Sequence, residues 1–286
     1  MREVVILSGK GGTGKTILTA SLACLAENKV VVDCDVDAAN LHLLLHPEIK
    51  ETYAFKGGKE AVIDSEKCVG CGKCEEVCRF GAPYRNGDAY SIDEFACEGC
   101  AACTIVCPTE AIQMETEEAG EYFISQTEYG PFVHAELGIA QENSGKLVSI
   151  VKERAREIAL KNNLSFIIMD GPPGIGCPVI STLSGVNTAL VVTEPSLSGI
   201  HDMERVIDVA FHFGVKVFIC INKFDLNIEN TSRIEKYAQD KGIEIVGKIP
   251  FEEKIIESVQ MGVPFLKYMD GEISRLLPVI WDRIKE

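Results

Sequence analysis

Residues 3–8, Glu-Val-Val-Ile-Leu-Ser, read as a buried strand that runs straight into Gly9-Lys10-Gly11-Gly12-Thr13-Gly14-Lys15-Thr16, followed by a helix through about Glu27. The eight-residue string fits G-x-x-x-x-G-K-[ST], whose glycines let backbone N–H groups curl around phosphate oxygens at a helix N-terminus. A strand, a phosphate-binding loop and a helix in that order commit the chain to a mostly parallel α/β sheet covered on both faces. Residues 30–34 (Val-Val-Val-Asp-Cys) add a second apolar run that ends in acids. The same rhythm returns late in the chain. Strands are expected at 165–170, 188–193, 215–221 and 244–249, alternating with helices near 145–162, 199–213, 229–241 and 270–285. Both termini therefore belong to one sheet.

From about 50 to 145 that rhythm stops, and Cys, Gly, acidic and aromatic residues take over, with turn signals at Gly57-Gly58 and Asn86-Gly87. Two cysteine runs, Cys68-x2-Cys71-x2-Cys74-x3-Cys78 and Cys97-x2-Cys100-x2-Cys103-x3-Cys107-Pro108, form an internal repeat offset by 29 residues. Each has the spacing that wraps a [4Fe–4S] cluster. Zinc sites instead pair two C-x2-C units across a longer loop, which fits four evenly spaced cysteines less well. In two-cluster ferredoxins the fourth cysteine of each run serves the other cluster. Carried over, this gives Cys68, Cys71, Cys74 and Cys107 for one cluster, and Cys97, Cys100, Cys103 and Cys78 for the other. The first run departs from the ferredoxin pattern in having Arg79, not proline, after Cys78. Small residues between the ligands, Gly70, Gly72, Ala101 and Ala102, leave room for backbone N–H groups to approach cluster sulfur. Residues 121–128 and 131–139 read as a hairpin turning at Tyr129-Gly130-Pro131.

A length of 286 residues accommodates one large domain and a small inserted module. We divide the chain into an ATPase domain (1–55 and 140–286), a ferredoxin-like α+β insertion (62–115) and a connecting β-hairpin (116–139). Twelve cysteines without an export signal point to a reducing compartment, the cytoplasm, where thiolates meet metals more often than each other. A net charge of −15 with no polybasic cluster argues against nucleic acid or anionic lipid as partner. No apolar run approaches the ~20 residues of a membrane span. The apolar C-terminal helix around Leu276, Leu277, Val279, Ile280 and Trp281 carries balanced charges and Pro278, and reads as a cover for the core. Segment 62–115 holds ten acidic and four basic residues, a balance that suits either a basic redox partner or a merely solvated surface.

Lys10, near the start of the loop, makes the string resemble the deviant Walker A motif of the MinD/ParA family, which includes the nitrogenase iron protein and Mrp-type iron–sulfur carriers. The resemblance extends to Val31-Val32-Asp33-Cys34-Asp35-Val36-Asp37-Ala38-Ala39-Asn40-Leu41, similar to the first switch, and to Met169-Asp170-Gly171-Pro172-Pro173-Gly174, similar to Walker B and the second switch. Thr193-Glu194-Pro195-Ser196 and Asn222-Lys223-Phe224-Asp225 match later motifs, the latter at the adenine edge. The resemblance implies ATP/ADP and Mg²⁺ as ligands, slow hydrolysis stimulated by a partner, and a nucleotide-dependent homodimer in which Lys10 reaches the opposite nucleotide. It implies catalytic roles for Lys10, Lys15 and Asp35, nucleotide contacts from residues 9–16, Asn222 and Lys223, and Mg²⁺ binding by Thr16 and Asp170. Physical chemistry agrees with the placement. Lys15 can neutralise β- and γ-phosphates, and a carboxylate ending a parallel strand sits where such sheets bind ligands. Of Asp33, Asp35 and Asp37, one is expected to cap a helix starting near Ala38. The string N-K-x-D alone favours guanine; its neighbours favour ATP.

Cys24, Cys34 and Cys220 read as small core residues. Cys177 follows Asp170 by seven residues, the offset at which the nitrogenase iron protein holds a cluster shared by two subunits. That protein's second ligand has no counterpart in Gln141-Glu142-Asn143-Ser144-Gly145, so Cys177 is either an additional metal or cluster ligand or a packed thiol. His42, His46, His134, His201 and His212 show no ligand spacing. The resulting expectation is an ATPase whose nucleotide state gates electron transfer through two [4Fe–4S] clusters to a redox or metallocluster partner. An ATP-dependent metal or cluster carrier is the alternative, and a positioning- or partition-type switch a third.

Overall fold

The computed structural model of the chain describes residues 1–138 and 143–286, which divide into two compact units. The first comprises Met1–Tyr53, Tyr122–Glu136 and Ser144–Glu286; the second comprises Ala54–Glu121 and Leu137–Asn143. The boundary expected at 139–140, and Gln141 and Glu142 of the stretch searched for a second cysteine, fall outside the described residues.

Eleven strands are present among the described residues: β1 (Arg2–Ser8), β2 (Lys29–Asp33), β3 (Glu48–Ile63), β4 (Pro83–Asn86), β5 (Ala89–Ile92), β6 (Ile112–Thr127), β7 (Gly130–Leu137), β8 (Phe166–Pro173), β9 (Thr188–Thr193), β10 (Lys216–Asn222) and β11 (Glu244–Ile249). The main sheet has the order β11-β10-β9-β1-β8-β2-β7-β6-β3, and every pair from β11 through β7 is parallel. Its central strands are buried at nearly every position, as continuous Val/Ile/Leu runs require when helices cover both faces. Val4, Ile6, Leu22, Ile168, Leu190, Cys220 and Ile280 form the centre of the core. The C-terminal helix Glu272–Ile284 lays Ile273, Leu277, Ile280, Trp281 and Ile284 on this core, with Trp281 edge-on to Phe166. No helix among the described residues is long and apolar enough to cross a membrane.

Three local expectations are corrected. Gly57-Gly58 is not a turn: both residues lie inside β3, where a side chain at Gly57 would strike Ala119. The hairpin expected only to connect supplies β7, which pairs in parallel with β2 through Val31–Phe132 and Val32–Val133 and so belongs to the first unit's sheet. The helix expected near Ala38 starts at His42 and ends at Leu45.

In the second unit, β4 and β5 form an antiparallel ladder turning at Gly87-Asp88. Helices Lys73–Val77 and Ala102–Val106 are 29 residues apart and pack on each other. The repeat reaches the backbone. Gly72 and Ala101, the equivalent residues before the two helices, are both left-handed at φ 77° and 61°. A left-handed alanine is strained, and its retention marks how closely the second loop copies the first.

Candidate functional site

The ends of β1, β2, β8 and β10 converge on a cavity of about 490 Å³. Residues 11–16 line it with Asp35, Asn222 and Lys223, and Pro250, Phe251, Ile255 and Ile256 give it an apolar wall. Gly14 is left-handed (φ 90°) and lies so close to Asn222 Nδ2 that a side chain there would collide with it. The same amide donates to the carbonyl of Thr13 at 2.7 Å, and Lys223 Nζ donates to that of Gly12 at 3.3 Å. The N-K-x-D segment thus braces the loop from behind. Asp225, its last member, accepts a 2.7 Å bond from the amide of Phe251 and fixes the start of the apolar wall.

Lys15 is buried at the head of helix Lys15–Leu25, with its Nζ 3.1 Å from Asp170 Oδ1 and 3.6 Å from Asp35 Oδ2. Burial pulls its ammonium down, but Asp170, Asp35 and Asp33 outweigh that and leave it above the ordinary lysine value. Thr16 Oγ1 donates to Asp170 Oδ2 at 2.6 Å, so the two expected Mg²⁺ ligands are in contact. Thr19, one turn further along the same helix face, donates to Asp170 Oδ1 at 2.8 Å. Thr19 escaped the sequence reading, although its i+3 spacing from Thr16 was a usable signal.

The three acids of the first switch separate into distinct roles. Asp33, fully buried, accepts from the amides of Asp35 (3.0 Å) and Leu41 (3.1 Å), so it is the acid that organises the loop and the start of helix His42–Leu45. Burial and neighbouring Asp170 push its carboxyl well above the usual aspartate range. Asp35 lines the cavity, and burial raises it to about 6 despite the opposing pull of Lys15. A carboxyl held there, within reach of Lys15, can orient a water for attack.

Gly9 and Lys10 do not line the cavity. Lys10 Nζ turns to Glu194 Oε1 at 2.6 Å and to the hydroxyls of Ser196 and Ser198 at 3.1 and 3.3 Å. Lys223 takes the other oxygen of Glu194 at 3.1 Å. Glu194 is therefore shared by two lysines, which hold its carboxyl below the usual glutamate range against the cost of burial. Its sequence motif was visible; its partners were not.

In the second unit the eight cysteines gather into two sets. Cys68, Cys71, Cys74 and Cys107 line one cavity; Cys78, Cys97, Cys100 and Cys103 line another. The amide of Ala61 donates to Cys97 Sγ at 3.5 Å and that of Ala111 to Cys107 Sγ at 3.3 Å. Among the described residues, no three His, Cys, Asp or Glu side chains converge closely enough to hold a single metal ion. Elsewhere, Cys34 and Cys220 are fully buried in the first unit's core, and half-buried Cys24 donates to the carbonyl of Ala20. Cys177 is exposed at the start of helix Cys177–Leu183, an element the sequence reading missed, with Gly145 against it.

Residues 4–265 match the CobQ/CobB/MinD/ParA nucleotide binding domain. This chain belongs to that family. As a member it is an ATPase with a nucleotide site. An uncharacterized Methanocaldococcus jannaschii protein is 33% identical over 99% of this chain and 96% of its own length. The Thermotoga maritima septum site-determining protein MinD is 26% identical (99% and 87% covered), and a Pyrococcus horikoshii iron–sulfur cluster carrier protein 24% (96% and 82%). The structure of P. horikoshii MinD complexed with Mg-ADP superposes with a TM-score of 0.62 at 19% identity, covering 99% of this chain and 95% of that one.

Proposed function

We propose that this ATPase is an iron–sulfur protein in which nucleotide state controls electron transfer through two [4Fe–4S] clusters. The observation that carries the reading is the crossed grouping of the eight thiols, three from one run with the last cysteine of the other, around two separate cavities. A cubane spreads four thiolates over four irons, so it does not call for convergence on one point, and amide donors to thiolate sulfur suit it. When bound, such clusters supply one-electron transfer.

The nucleotide half of the proposal assigns Lys15 to the β/γ-phosphates, Thr16 and Asp170 to Mg²⁺, and Asp35 to the attacking water. The Mg-ADP ligand of the P. horikoshii MinD structure supports this choice of ligands. ATP is the nucleotide, a choice supported by the surrounding MinD/ParA-type motifs; Asp225 of the N-K-x-D string gives one oxygen to the Phe251 amide. Lys10 is assigned to the opposite nucleotide of a homodimer, which requires it to leave Glu194.

A second reading, an ATP-dependent metal or cluster carrier, is favoured by exposed Cys177 and by the iron–sulfur cluster carrier among the relatives. Anaerobic purification and potentiometric EPR, with and without a non-hydrolysable ATP analogue, separate the two. The proposal expects about eight irons and eight sulfides per chain and a nucleotide-dependent shift of roughly 60 mV, or ~1.4 kcal/mol for one electron. Two zinc ions without visible absorption would sink the cluster assignment; potentials indifferent to nucleotide and to Lys10→Ala would sink the gating.

A further inference from the structure

Helix Cys177–Leu183 continues the chain just beyond the Asp170–Gly174 segment, and its last carbonyls have no partner within the helix. A lysine from another element takes them. Lys152, on helix Ser144–Lys161, is 3% exposed, and its Nζ donates to the carbonyls of Ser181 (3.0 Å), Thr182 (2.5 Å) and Ser184 (2.8 Å). An ammonium has three donors, and all three are used. A desolvated charge persists only under that condition, so this contact has one geometry.

Two further contacts bind the same pair of helices. Near the other end, Gly145 lies so close that a side chain there would meet Ser181 Oγ at 3.1 Å and Cys177 Cβ at 3.3 Å. Arg156, one turn beyond Lys152, reaches the carbonyl of Ser184 at 3.4 Å and makes a two-pronged pair with Glu3 of β1 at 2.5 and 2.8 Å. Helix Ser144–Lys161 also packs on β2, and its Lys152 ammonium lies within electrostatic reach of the buried thiol of Cys34, which stands between Asp33 and Asp35. Lys152 therefore sits where both nucleotide-facing segments meet helix Ser144–Lys161. That helix is entered directly from Asn143, the last residue of the cysteine-bearing unit.

We propose that Lys152 is a positioning residue that makes helices Cys177–Leu183 and Ser144–Lys161 move as one body, carrying a nucleotide-driven shift of Asp170–Gly174 along the chain toward the cysteine-bearing unit. The inference deepens the nucleotide-gated reading above and rests on it. A coupling of this kind needs a discrete element biased from both ends, and a fully satisfied buried ammonium supplies the rigid joint.

The test is hydrogen exchange on the full chain, purified anaerobically, with and without Mg²⁺ and a non-hydrolysable ATP analogue. In the wild type, protection of 144–161 and 177–183 changes together by about fivefold or more, the lower end of ordinary site-to-site coupling. In Lys152→Met, nucleotide affinity and iron content stay near wild type, while the response of 144–161 disappears and that of 177–183 persists. Arg156→Met, which weakens the same helix pair without touching the ammonium, keeps the response. A Lys152→Met protein that retains the response overturns the proposal, as does its loss in both variants, which would mark general loosening. A wild-type 144–161 segment that ignores bound nucleotide also overturns it. If Lys152→Met does not fold, Lys152→Gln, which keeps two donors but loses the charge and the third, is read in the same way. A wild-type chain that binds the analogue, shows the joint response and holds no iron sinks the cluster reading and leaves the joint standing.

Discussion

The two units bury themselves by different means. In the first, parallel strands and their covering helices pack large side chains such as Ile6, Leu22, Ile168 and Trp281 into a continuous core. In the second, a buried cluster of Ala61, Cys74, Tyr90 and Ile112 is packed largely by thiols, Cys68, Cys97, Cys103 and Cys107, and the other buried described residues are Phe55, Pro83 and alanines. A fully buried large apolar side chain contributes roughly 1.5–3 kcal/mol, while ordering each residue costs ~1–2 kcal/mol. Among the described residues of this unit the large buried side chains are Phe55, Tyr90 and Ile112, too few to offset that cost, and small domains in this position use metals or disulfides. On the function proposed above, thiolate–iron bonds supply the missing stability.

The sharpest way to break this contrast is to remove iron from the second unit. Chelation, or Cys71→Ser combined with Cys100→Ser, should make residues 54–121 open to protease while ATP affinity changes by less than about threefold, since binding energy to a metal is folding energy for its site. A second unit that stays resistant without iron would show an apolar core sufficient after all. The converse change is Lys15→Ala, which should raise the Kd for ATP about 100-fold (roughly 2.7 kcal/mol) and leave iron content unaltered, as titration calorimetry and iron assay would record. Leu22→Ala removes a fully buried side chain from helix Lys15–Leu25. It should cost the first unit about 2–5 kcal/mol in denaturant unfolding with no loss of cluster absorbance. Loss of both together would mean that the units unfold as one.

The smallest effect concerns His134, buried against Phe123 and Phe132 with Ser125 Oγ 3.1 Å from its Nε2. Burial, with His42 adding to it, lowers its imidazole to about 4. The unfolded chain binds the proton more readily between that value and an ordinary 6.5, so stability falls as pH drops through this window. Between pH 7 and 4.5 the loss from this site should be about 2 kcal/mol, and His134→Phe should flatten that part of the curve in urea titrations. An unchanged slope would place the acid sensitivity at groups other than His134.

Features set by neighbours in the chain were open to sequence reading. Continuous apolar runs marked β1, β2, β8, β9 and β10, because a strand buried on both faces has no polar alternation to hide. The phosphate-binding loop and the cysteine spacing were legible because each is a pattern of residues a few positions apart; the crossing of the two cysteine runs is tertiary. Gly57-Gly58 misled, because a glycine required by close approach of Ala119 looks identical to one required by a turn. Only the family resemblance set Asp35 apart from Asp33 in the sequence; in the structure their burial and hydrogen bonds separate them.

By itself the sequence determined that one part of this chain is a parallel α/β nucleotide fold and that another is organised by eight thiols in a repeat, since both follow from periodicity and short-range spacing. Tertiary structure alone decided that β7 joins β2, that Glu194 holds Lys10 and Lys223, and that Lys152 closes on the carbonyls of Ser181, Thr182 and Ser184. Each joins residues about 30 to nearly 200 positions apart. The energy of such a contact depends on burial and on which donors remain unpaired, quantities that exist only once the chain has closed on itself.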